Sequence, residues 1–248
     1  MDLQPIAAAA DDTDPGLARI AALLRDRQRP GVPYLVGVTG GVAAGKSVFA
    51  GRLQAMLAAE GLAVEVVATD GFLLPNDRLT ELGLMDQKGF PPSYDTEAMT
   101  AALAAIRLGP TRFPAYSHVT YDVDPALART LVPPDVLIAE GLNLRRPGAA
   151  QAVDLLIYLD AEEADLEAWF TARFLGLWAA AEHDPASFYA RFRHLDREGA
   201  AGVAKWVWDG INLPNLRQHI APARAEADLV VKKAADHRLA ALGVRARL

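Results

Sequence analysis

The 248-residue sequence contains no cysteine, and it lacks the features of membrane-spanning and exported proteins as well. Without cysteine the chain has no disulfide, no thiolate zinc site and no cysteine nucleophile, so we expect a cytoplasmic protein. No apolar run approaches the ~18–20 residues that a membrane-spanning helix needs. Residues 1–15 have neither the basic start nor the apolar centre of a signal peptide.

Several motifs of known enzyme classes are missing too. The chain has no Gly-x-Ser-x-Gly and no His-Glu-x-x-His, and its glycine loop does not follow Gly-x-Gly-x-x-Gly. These absences argue against serine hydrolases, zinc proteases and dinucleotide-binding proteins. His183, His194 and His219 follow no metal-binding spacing. A net charge of −6 argues against nucleic acid or an anionic membrane as the main partner.

The most informative segment that is present matches the phosphate-binding pattern Gly-x-x-x-x-Gly-Lys-Ser/Thr. An apolar run over residues 33–39 precedes it, and apolar residues follow it at helical spacing, which is the strand–loop–helix context that this motif requires. We expect the charge of Lys46 near the β and γ oxygens of a nucleotide and Ser47 as a Mg²⁺ ligand. The residues predicted to bind ATP here are Gly40, Gly41, Val42, Ala43, Ala44, Gly45, Lys46, Ser47 and Val48.

Apolar strands alternate with helices along the chain, which predicts an α/β fold with a mainly parallel sheet and helices on both faces. Residues 1–14 are predicted to be a flexible tail, and residues 15–248 a single domain. The segment 71–92 has little periodicity, which is typical of a functional loop. Helices are predicted over 16–27, 95–108, 162–181, 185–198, 201–209 and 214–226, and strands over 33–39, 63–69, 136–139, 155–159 and 228–233.

Three acidic residues follow predicted strands, at the edge where ligands bind in such sheets. Asp70 ends a strand expected to neighbour the strand of the glycine loop, so it is predicted to accept the proton of an attacking hydroxyl in phosphoryl transfer. Glu140 closes an apolar run and is predicted to hold Mg²⁺, directly or through water. Asp160 is interpreted as the N-cap of the next helix. The alternative for all three is helix capping or balance of the Lys46 charge.

Two other features stay open on the residues alone. Residues 113–122 bring Tyr116, His118 and Tyr121 together on an irregular segment. This segment is either a surface loop docked on the core or a loop that recognises a polar substrate. Arg173 lies in an apolar helix face, where it either extends its stem over that face or clamps a transferring phosphoryl group.

These motifs together resemble the bacterial type I pantothenate kinases of the P-loop kinase superfamily. The resemblance extends from about Tyr34 to the C-terminus, and it rests on several motifs in one order. They are the glycine loop, Thr69–Asn76, Gly83–Asp95, Tyr116–Val123, Glu140–Asn143, Ile211–Ile220 and Lys233–His237.

The resemblance implies a P-loop NTPase-type three-layer fold and a kinase that uses ATP and Mg²⁺. The implied reaction phosphorylates the primary hydroxyl of pantothenate, the first step of coenzyme A biosynthesis. Asp70 is implied as the base and Arg173 as the group that stabilises the transferring phosphoryl. The implied pantothenate pocket consists of Tyr116, His118, Tyr121, Phe170 and Asn212. His237 is implied to pack on adenine, the alternative being a histidine on the surface. Family members are homodimers that coenzyme A inhibits in competition with ATP.

The sequence departs from the family at four positions of interest. Phe170 stands where the family has a tyrosine that contacts pantothenate, so the pocket lacks one hydroxyl. Gly51 replaces an arginine implicated in coenzyme A binding, and Gly176 and Leu177 replace a basic residue and an aromatic. These departures leave acceptor choice and feedback inhibition open. The alternatives are a kinase of the same family that acts on a nucleoside, glycerate or a sugar, and a nucleotide-sensing protein without turnover.

Overall fold

A seven-stranded sheet forms the centre of the computed structural model, which describes residues 1–6, 14–144 and 152–245. Its strands are β1 (Gln4–Pro5), β2 (Tyr34–Gly40), β3 (Val64–Ala68), β8 (Val136–Gly141), β9 (Leu155–Asp160), β10 (Leu229–Lys233) and β11 (Leu239–Val244). They lie in the order β1, β11, β10, β9, β2, β8, β3. The five strands from β10 to β3 are parallel, whereas β11 and β1 add antiparallel edge pairs.

Four short strands form two antiparallel pairs apart from the large sheet. They are β4 (Thr111–Phe113) with β7 (Arg129–Leu131), and β5 (Tyr116–Ser117) with β6 (Asp122–Val123). The second pair carries the aromatic segment that the sequence singled out.

Helices pack around the sheet, and acidic side chains cap several of them. The helices are α1 (Pro15–Arg27), α2 (Lys46–Ala59), α3 (Asn76–Glu81), α4 (Thr96–Ala105), α5 (Glu163–Ala180), α6 (Arg197–Val207), α7 (Leu213–Asn215) and α8 (Ala223–Glu226). Asp14 caps α1 through the Leu17 N–H, and Asp95 caps α4 through the Ala98 N–H. π-helical turns over Trp208–Asn212 and Leu216–Ile220 flank α7.

The core lies between the sheet and these helices because the central strands are apolar over most of their length. Val136 and Leu137 of β8 and Leu155 and Leu156 of β9 are completely buried. Strands of a parallel sheet that is covered on both faces show such continuous burial. The predicted α/β fold with a mainly parallel sheet is therefore confirmed.

The structure corrects three predictions about local structure and adds detail to the segment that was predicted as a functional loop. Gln4 and Pro5 pair with Leu242 and Ala241, so the start of the predicted tail is joined to the sheet edge. Residues 7–13 lie outside the described residues. Strand β3 does not neighbour β2, because β8 lies between them. The segment 71–92 contains α3 and short 3₁₀ turns, and the predicted helix over 185–198 is a 3₁₀ turn over Phe188–Phe192 followed by the start of α6.

Asp160 does not cap α5. The N-cap of that helix is Glu162, and no side-chain hydrogen bond is made there. The Asp160 carboxylate instead lies 3.1 Å from Arg224 Nε and 3.7 Å from Lys232 Nζ. Asp160 thus pairs with basic residues of α8 and β10. Because the N-cap position of α5 lies two residues further along the chain, Asp160 is not placed to cap that helix.

Candidate active site

The glycine loop connects β2 to α2 and depends on unusual backbone angles. Gly40 has a φ of 150° and Gly45 a φ of 79°, and a side chain on Gly40 would meet the carbonyl oxygen of Leu159. Glycine at both positions lets the chain turn tightly into the first turn of α2. Ala43 takes a positive φ of 64° without being glycine, so the loop stores backbone strain, as functional loops often do.

Lys46 folds back over this loop. Its Nζ donates hydrogen bonds to the carbonyl oxygens of Gly40 at 3.2 Å and Gly41 at 2.9 Å. Burial lowers the pKa of the ammonium, and the negative charges of Glu140 and Asp70 oppose that shift. The lysine charge is therefore held where a nucleotide phosphate can replace the backbone carbonyls as its partner.

Lys233 supports the loop from the end of β10. It is only 7% exposed, and its Nζ donates a hydrogen bond of 2.9 Å to the carbonyl oxygen of Ala44. Its ammonium also lies 5.2 Å from the centre of the Trp169 ring. Burial lowers the pKa of Lys233, and Arg52 adds to the effect. A second buried cation thus adds positive charge beneath the phosphate loop.

Ser47 and Glu140 meet at the mouth of the loop. The Ser47 hydroxyl donates a 2.7 Å hydrogen bond to Glu140 Oε1, and Glu140 is only 8% exposed. Burial raises the pKa of Glu140, while Lys46 and the Ser47 hydrogen bond lower it. The next residue, Gly141, lies so close to Thr69 that any side chain there would collide with the threonine hydroxyl.

The pair of oxygen donors fits a magnesium ion better than a softer metal. A hydroxyl and a carboxylate are hard ligands, and Mg²⁺ usually takes one or two protein oxygens and completes its shell with phosphate and water. Within the described residues, no three His, Cys, Asp or Glu side chains are grouped to hold a metal ion. An ion bound by Ser47 and Glu140 would therefore depend on the nucleotide for further ligands.

Asp70 lies in the 3₁₀ turn Thr69–Phe72, which directly follows β3. Its Oδ1 accepts a 2.9 Å hydrogen bond from the hydroxyl of Tyr94. Its negative charge influences Lys46 and Glu140 on the phosphate side. The same charge influences four groups on the other side, namely Lys88, Tyr116, His118 and Tyr121. Asp70 is thus close to both halves of the candidate site.

The β5–β6 hairpin gathers the predicted acceptor residues around Lys88. The Tyr116 ring lies 5.2 Å from the His118 ring and 6.0 Å from the Tyr121 ring. Lys88 Nζ lies 4.4 Å from the Tyr121 ring centre and 5.0 Å from that of Tyr116. It also donates hydrogen bonds to Asn76 Oδ1 and to the Tyr121 carbonyl, at 2.5 and 2.6 Å. The hairpin therefore presents a cation between two aromatic rings.

Lys88 supplies the positive charge of this cluster, whereas His118 is held towards its neutral form. Burial lowers the pKa of Lys88 to about 8, although Asp122 and Asp70 oppose the shift. Burial also lowers the pKa of His118, with Arg173 contributing in the same direction. The Tyr121 backbone has a positive φ of 58°, an uncommon angle for a residue with a bulky side chain. Backbone strain is often found at functional sites. This angle therefore favours the interpretation of residues 113–122 as a loop that recognises a substrate over that of a surface loop docked on the core.

Buried polar atoms without partners collect at this end of the sheet. Among the described residues they are Thr69 Oγ1, Asn143 Oδ1, Asn212 Nδ2 and Asn215 Oδ1. Asn143 and Asn215 each donate from Nδ2 to the Gly89 carbonyl, at 2.8 and 2.9 Å, which joins the helical region to the Lys88 loop. Asn212 lies one turn before Asn215, within a π-helical turn of the kind that often occurs at functional sites. The unpaired atoms are therefore available to a ligand or to water.

Helix α5 contributes Phe170 and Arg173. The Phe170 ring packs 6.3 Å from Phe174 and 6.0 Å from Trp208. Arg173 is exposed, and its charge lowers the pKa of Lys46, of Glu140 and of His118. This placement favours the interpretation of Arg173 as a group that faces the transferring phosphoryl over that of a stem covering apolar surface.

His237 lies on the nucleotide side, in the turn between β10 and β11. Its ring stacks on Trp169 with centres 4.2 Å apart and planes at 29°. It is exposed and adopts a φ of 68°. Burial lowers the pKa of His237, and the charge of Lys233 lowers it further.

Val48 has a 68% exposed side chain in the first turn of α2, so only its backbone can face a phosphate.

Sequence reasoning missed several of these participants. Lys88, Tyr94 and Lys233 all stood within quoted motifs, yet none was given a role. Each is buried or half-buried despite a polar head group, and only the structure reveals the partner that makes this possible. Trp169 could have been found, because it lies four residues before Arg173 on the same helix face.

Comparison with known proteins agrees with this geometry. Residues 35–169 match the model of the phosphoribulokinase/uridine kinase family. A protein named pantothenate kinase from Myxococcus xanthus is 43% identical over 86% of this chain and 72% of its own length. Pantothenate kinases from Mesorhizobium japonicum and Streptomyces avermitilis are each 41% identical, over 86% and 87% of this chain and 72% and 70% of their own lengths.

Solved structures give the same fold. A putative fructose transport system kinase from Silicibacter sp. TM1040 has a TM-score of 0.71 and 29% identity, covering 86% of this chain and 98% of its own. A D-glycerate 3-kinase from Cryptococcus neoformans, at 12% identity, shares the fold with a TM-score of 0.63 over 92% of this chain and 99% of its own. The chain therefore belongs to the phosphoribulokinase/uridine kinase family of P-loop kinases and, within it, to the pantothenate kinases.

Proposed function

We propose that this kinase transfers the γ-phosphoryl group of ATP to the primary hydroxyl of pantothenate, giving 4′-phosphopantothenate. The observation that carries the proposal is the position of Asp70, whose charge reaches Lys46 and Glu140 on one side and Lys88, Tyr116, His118 and Tyr121 on the other. A general base for this transfer has to lie between donor and acceptor. The names of the relatives supply the identity of the acceptor.

In this mechanism Asp70 takes the proton of the acceptor hydroxyl as the oxygen attacks the γ-phosphorus, while the bond from that phosphorus to the β-phosphate oxygen breaks and ADP leaves. Lys46 and Arg173 stabilise the negative charge of the transferring group. Lys88 holds the carboxylate of pantothenate, with Tyr116, His118, Tyr121 and Asn212 around the rest of the acceptor. Ser47 and Glu140, the latter directly or through water, would hold magnesium, which would neutralise part of the phosphate charge. His237 and Trp169 form the surface for adenine.

A different small alcohol is the second candidate acceptor. Phe170 favours it, because the pocket then lacks a hydroxyl that pantothenate contacts in the family. The likeness to a putative fructose transport system kinase points the same way. Leaving one buried polar group unpaired costs about 1–3 kcal/mol, which is enough to change substrate preference.

We further propose that the kinase is a homodimer and that coenzyme A inhibits it only weakly. The family resemblance supports the dimer. The weak inhibition follows from Gly51, which is exposed on α2 and offers no cation to the inhibitor. Light scattering of the purified protein tests the first proposal.

An ADP-release assay tests the acceptor. MgATP is combined with pantothenate, a nucleoside panel, glycerate and simple sugars, each with and without coenzyme A. We expect turnover on pantothenate with a kcat/KM of about 10⁴ M⁻¹s⁻¹ or above, the lower end of ordinary enzymes. If pantothenate is not phosphorylated but another acceptor is, the proposed substrate is wrong while the proposed phosphoryl-transfer chemistry stands.

A further inference from the structure

Tyr94 is a buried residue to which the proposed mechanism assigns no role. Its side chain is 7% exposed, and its hydroxyl donates a 2.9 Å hydrogen bond to Asp70 Oδ1. Among the residues that the structure describes, this is the one hydrogen bond that the Asp70 carboxylate accepts. Oδ1 is thereby occupied, and Oδ2 stays available to a proton donor from the acceptor side.

The backbone around Tyr94 is joined to the backbone around Asp70. The Leu74 N–H donates to the Ser93 carbonyl, and the Asp95 N–H donates to the Phe72 carbonyl, both at 2.8 Å. These bonds lie on either side of a β-bridge between Leu73 and Tyr94. The two segments that carry the Tyr94 phenol and the Asp70 carboxylate therefore cannot shift independently. Main-chain hydrogen bonds, as well as the side-chain hydrogen bond, maintain the distance between these two groups.

The Tyr94 hydroxyl is also held in its donor state. Burial raises the pKa of the phenol well above its usual value, and the nearby charge of Asp70 and the hydrogen bond to it act in the same direction. The Asn143 side chain, two residues after the end of β8, lies near the phenol and opposes this shift in part.

We propose that Tyr94 is a positioning residue, which fixes the rotamer of Asp70 so that Oδ2 points at the acceptor hydroxyl. The proposal rests on the proposed role of Asp70 as the base. During transfer the acceptor proton moves to Oδ2, and Tyr94 keeps its own proton throughout. A carboxylate that rotates freely spends less time aligned for this transfer, and alignment of the reacting atoms is a large part of catalysis.

The test is a Tyr94→Phe variant, which keeps the ring and removes only the hydroxyl. The readout is the single-turnover rate of phosphoryl transfer, because that rate separates chemistry from product release. We expect it to fall about 10- to 100-fold, as for loss of a hydrogen bond to a charged group, while KM for ATP and for the acceptor changes less than about threefold.

The division of the loss between kcat and KM gives a second readout that a packing defect would not share. Losing the donated hydrogen bond frees the carboxylate to rotate, which slows the transfer but leaves the groups that bind both substrates in place. The groups near Asp70 that remain in the variant are Lys46, Glu140, Lys88, Tyr116, His118 and Tyr121. The loss should therefore appear in kcat, with KM for both substrates nearly unchanged.

Two control variants make the result decisive. Tyr158→Phe removes a buried hydroxyl of β9, a strand that β2 and β8 separate from β3 and Asp70, so it should leave the rate and both KM values unchanged. Asp70→Asn should lower the rate by about 10²–10⁴. Full activity of Asp70→Asn would show that Asp70 is not the base, whereas an inactive Asp70→Asn with an unaltered Tyr94→Phe would overturn the positioning role alone. A Tyr94→Phe variant whose loss of activity lies in KM and not in kcat would also overturn it.

Discussion

At the scale of single residues, we expect two side chains to determine which acceptor the site binds. Phe170 lies on α5 at the border of an aromatic cluster, with Phe174 and Trp208 as its neighbours. Lys88 lies between the rings of Tyr116 and Tyr121. Phe170 lacks the hydroxyl of the tyrosine that the family has at this position. Lys88 provides a positive charge, and the pKa of its ammonium depends on the surrounding groups.

Replacing Phe170 with tyrosine should improve the use of pantothenate. The new hydroxyl adds a partner for the acceptor, and a neutral hydrogen bond of this kind is worth about two- to tenfold in kcat/KM. Steady-state kinetics with pantothenate measure the effect. Phe192→Tyr is the matched control, because it adds the same hydroxyl elsewhere in the aromatic cluster around Phe174. A fall in kcat/KM for Phe170→Tyr would show that the pocket is shaped for another acceptor.

The binding of pantothenate should weaken at alkaline pH. The Lys88 pKa is lowered to about 8, so its positive charge is present below pH 8 and is lost as the pH rises through that value. KM for the anionic acceptor should therefore rise above pH 8, while KM for ATP stays level. In a Lys88→Arg variant the charge persists, and the rise should disappear. An unchanged rise in that variant would assign the titration to another group.

At the scale of elements, α2 connects the phosphate loop to the site of proposed inhibition. Its exposed face carries Gly51, around which a side chain would meet nothing within 4 Å. The next residue, Arg52, is already engaged, with Nη1 3.2 Å from Asp14 Oδ2. A cationic side chain at position 51 would thus extend into unoccupied space. It would lie about one third of a helical turn from Arg52, which is already paired.

Gly51→Arg should make the kinase more sensitive to coenzyme A. A guanidinium binds phosphate groups in a bidentate manner, so the half-inhibitory concentration should fall several-fold in an ADP-release assay. Gly51→Ala is the control. It should stabilise the helix by about 0.5–1 kcal/mol without changing inhibition. Equal inhibition of both variants and the parent protein would place coenzyme A away from this face of α2.

The sequence predicted elements well where a long apolar pattern specified them. The strands β2, β8 and β9 begin and end within two residues of their predicted bounds because each is a buried apolar run. The helix over 185–198 was wrong because its apolar spacing serves an aromatic cluster, with Phe188 stacked 4.2 Å from Tyr121, rather than a helix face. A two-residue strand such as β1 is too short for any periodicity to reveal.

The sequence singled out candidate site residues where a residue lies in a pattern of its own, and it passed over residues whose importance depends on a neighbour. Lys46, Asp70 and Glu140 occur at the ends of strands or loops with a recognisable pattern. Tyr94 and Lys233 matter because of one oxygen that each contacts, Asp70 Oδ1 and the Ala44 carbonyl. Contacts between residues so distant in sequence follow from the fold, which a single sequence does not display.

At the scale of the whole molecule, nucleotide binding and folding should be coupled. The phosphate loop packs on β10 through Lys233 and on β8 through Ser47 and Glu140, so a nucleotide bound there would contact several parts of the sheet at once.

Within the described residues, no helix has the length and hydropathy to cross a membrane.

MgATP should raise the melting temperature. A ligand at 100 times its Kd stabilises the folded state by about 2.7 kcal/mol, which corresponds to roughly 5–11 °C for a chain of this size. Thermal unfolding followed by fluorescence measures the shift. Lys46→Met should abolish it, whereas Lys205→Met, which removes an exposed lysine paired with Glu167 and Asp209, should preserve it. A full shift in Lys46→Met would contradict the assigned nucleotide site.

The two small strand pairs have a consequence for how such kinases diversify. The turn that carries Asp70 follows β3, and its Thr69 packs so closely against Gly141 that it is held next to the end of β8, where Glu140 lies. The acceptor hairpin β5–β6 has its own pairing, separate from the large sheet, and it packs against the turn that carries Asp70. Substitutions of hairpin side chains that leave this packing intact can therefore change the acceptor, so a lineage can exchange one small alcohol for another while it inherits the same reaction.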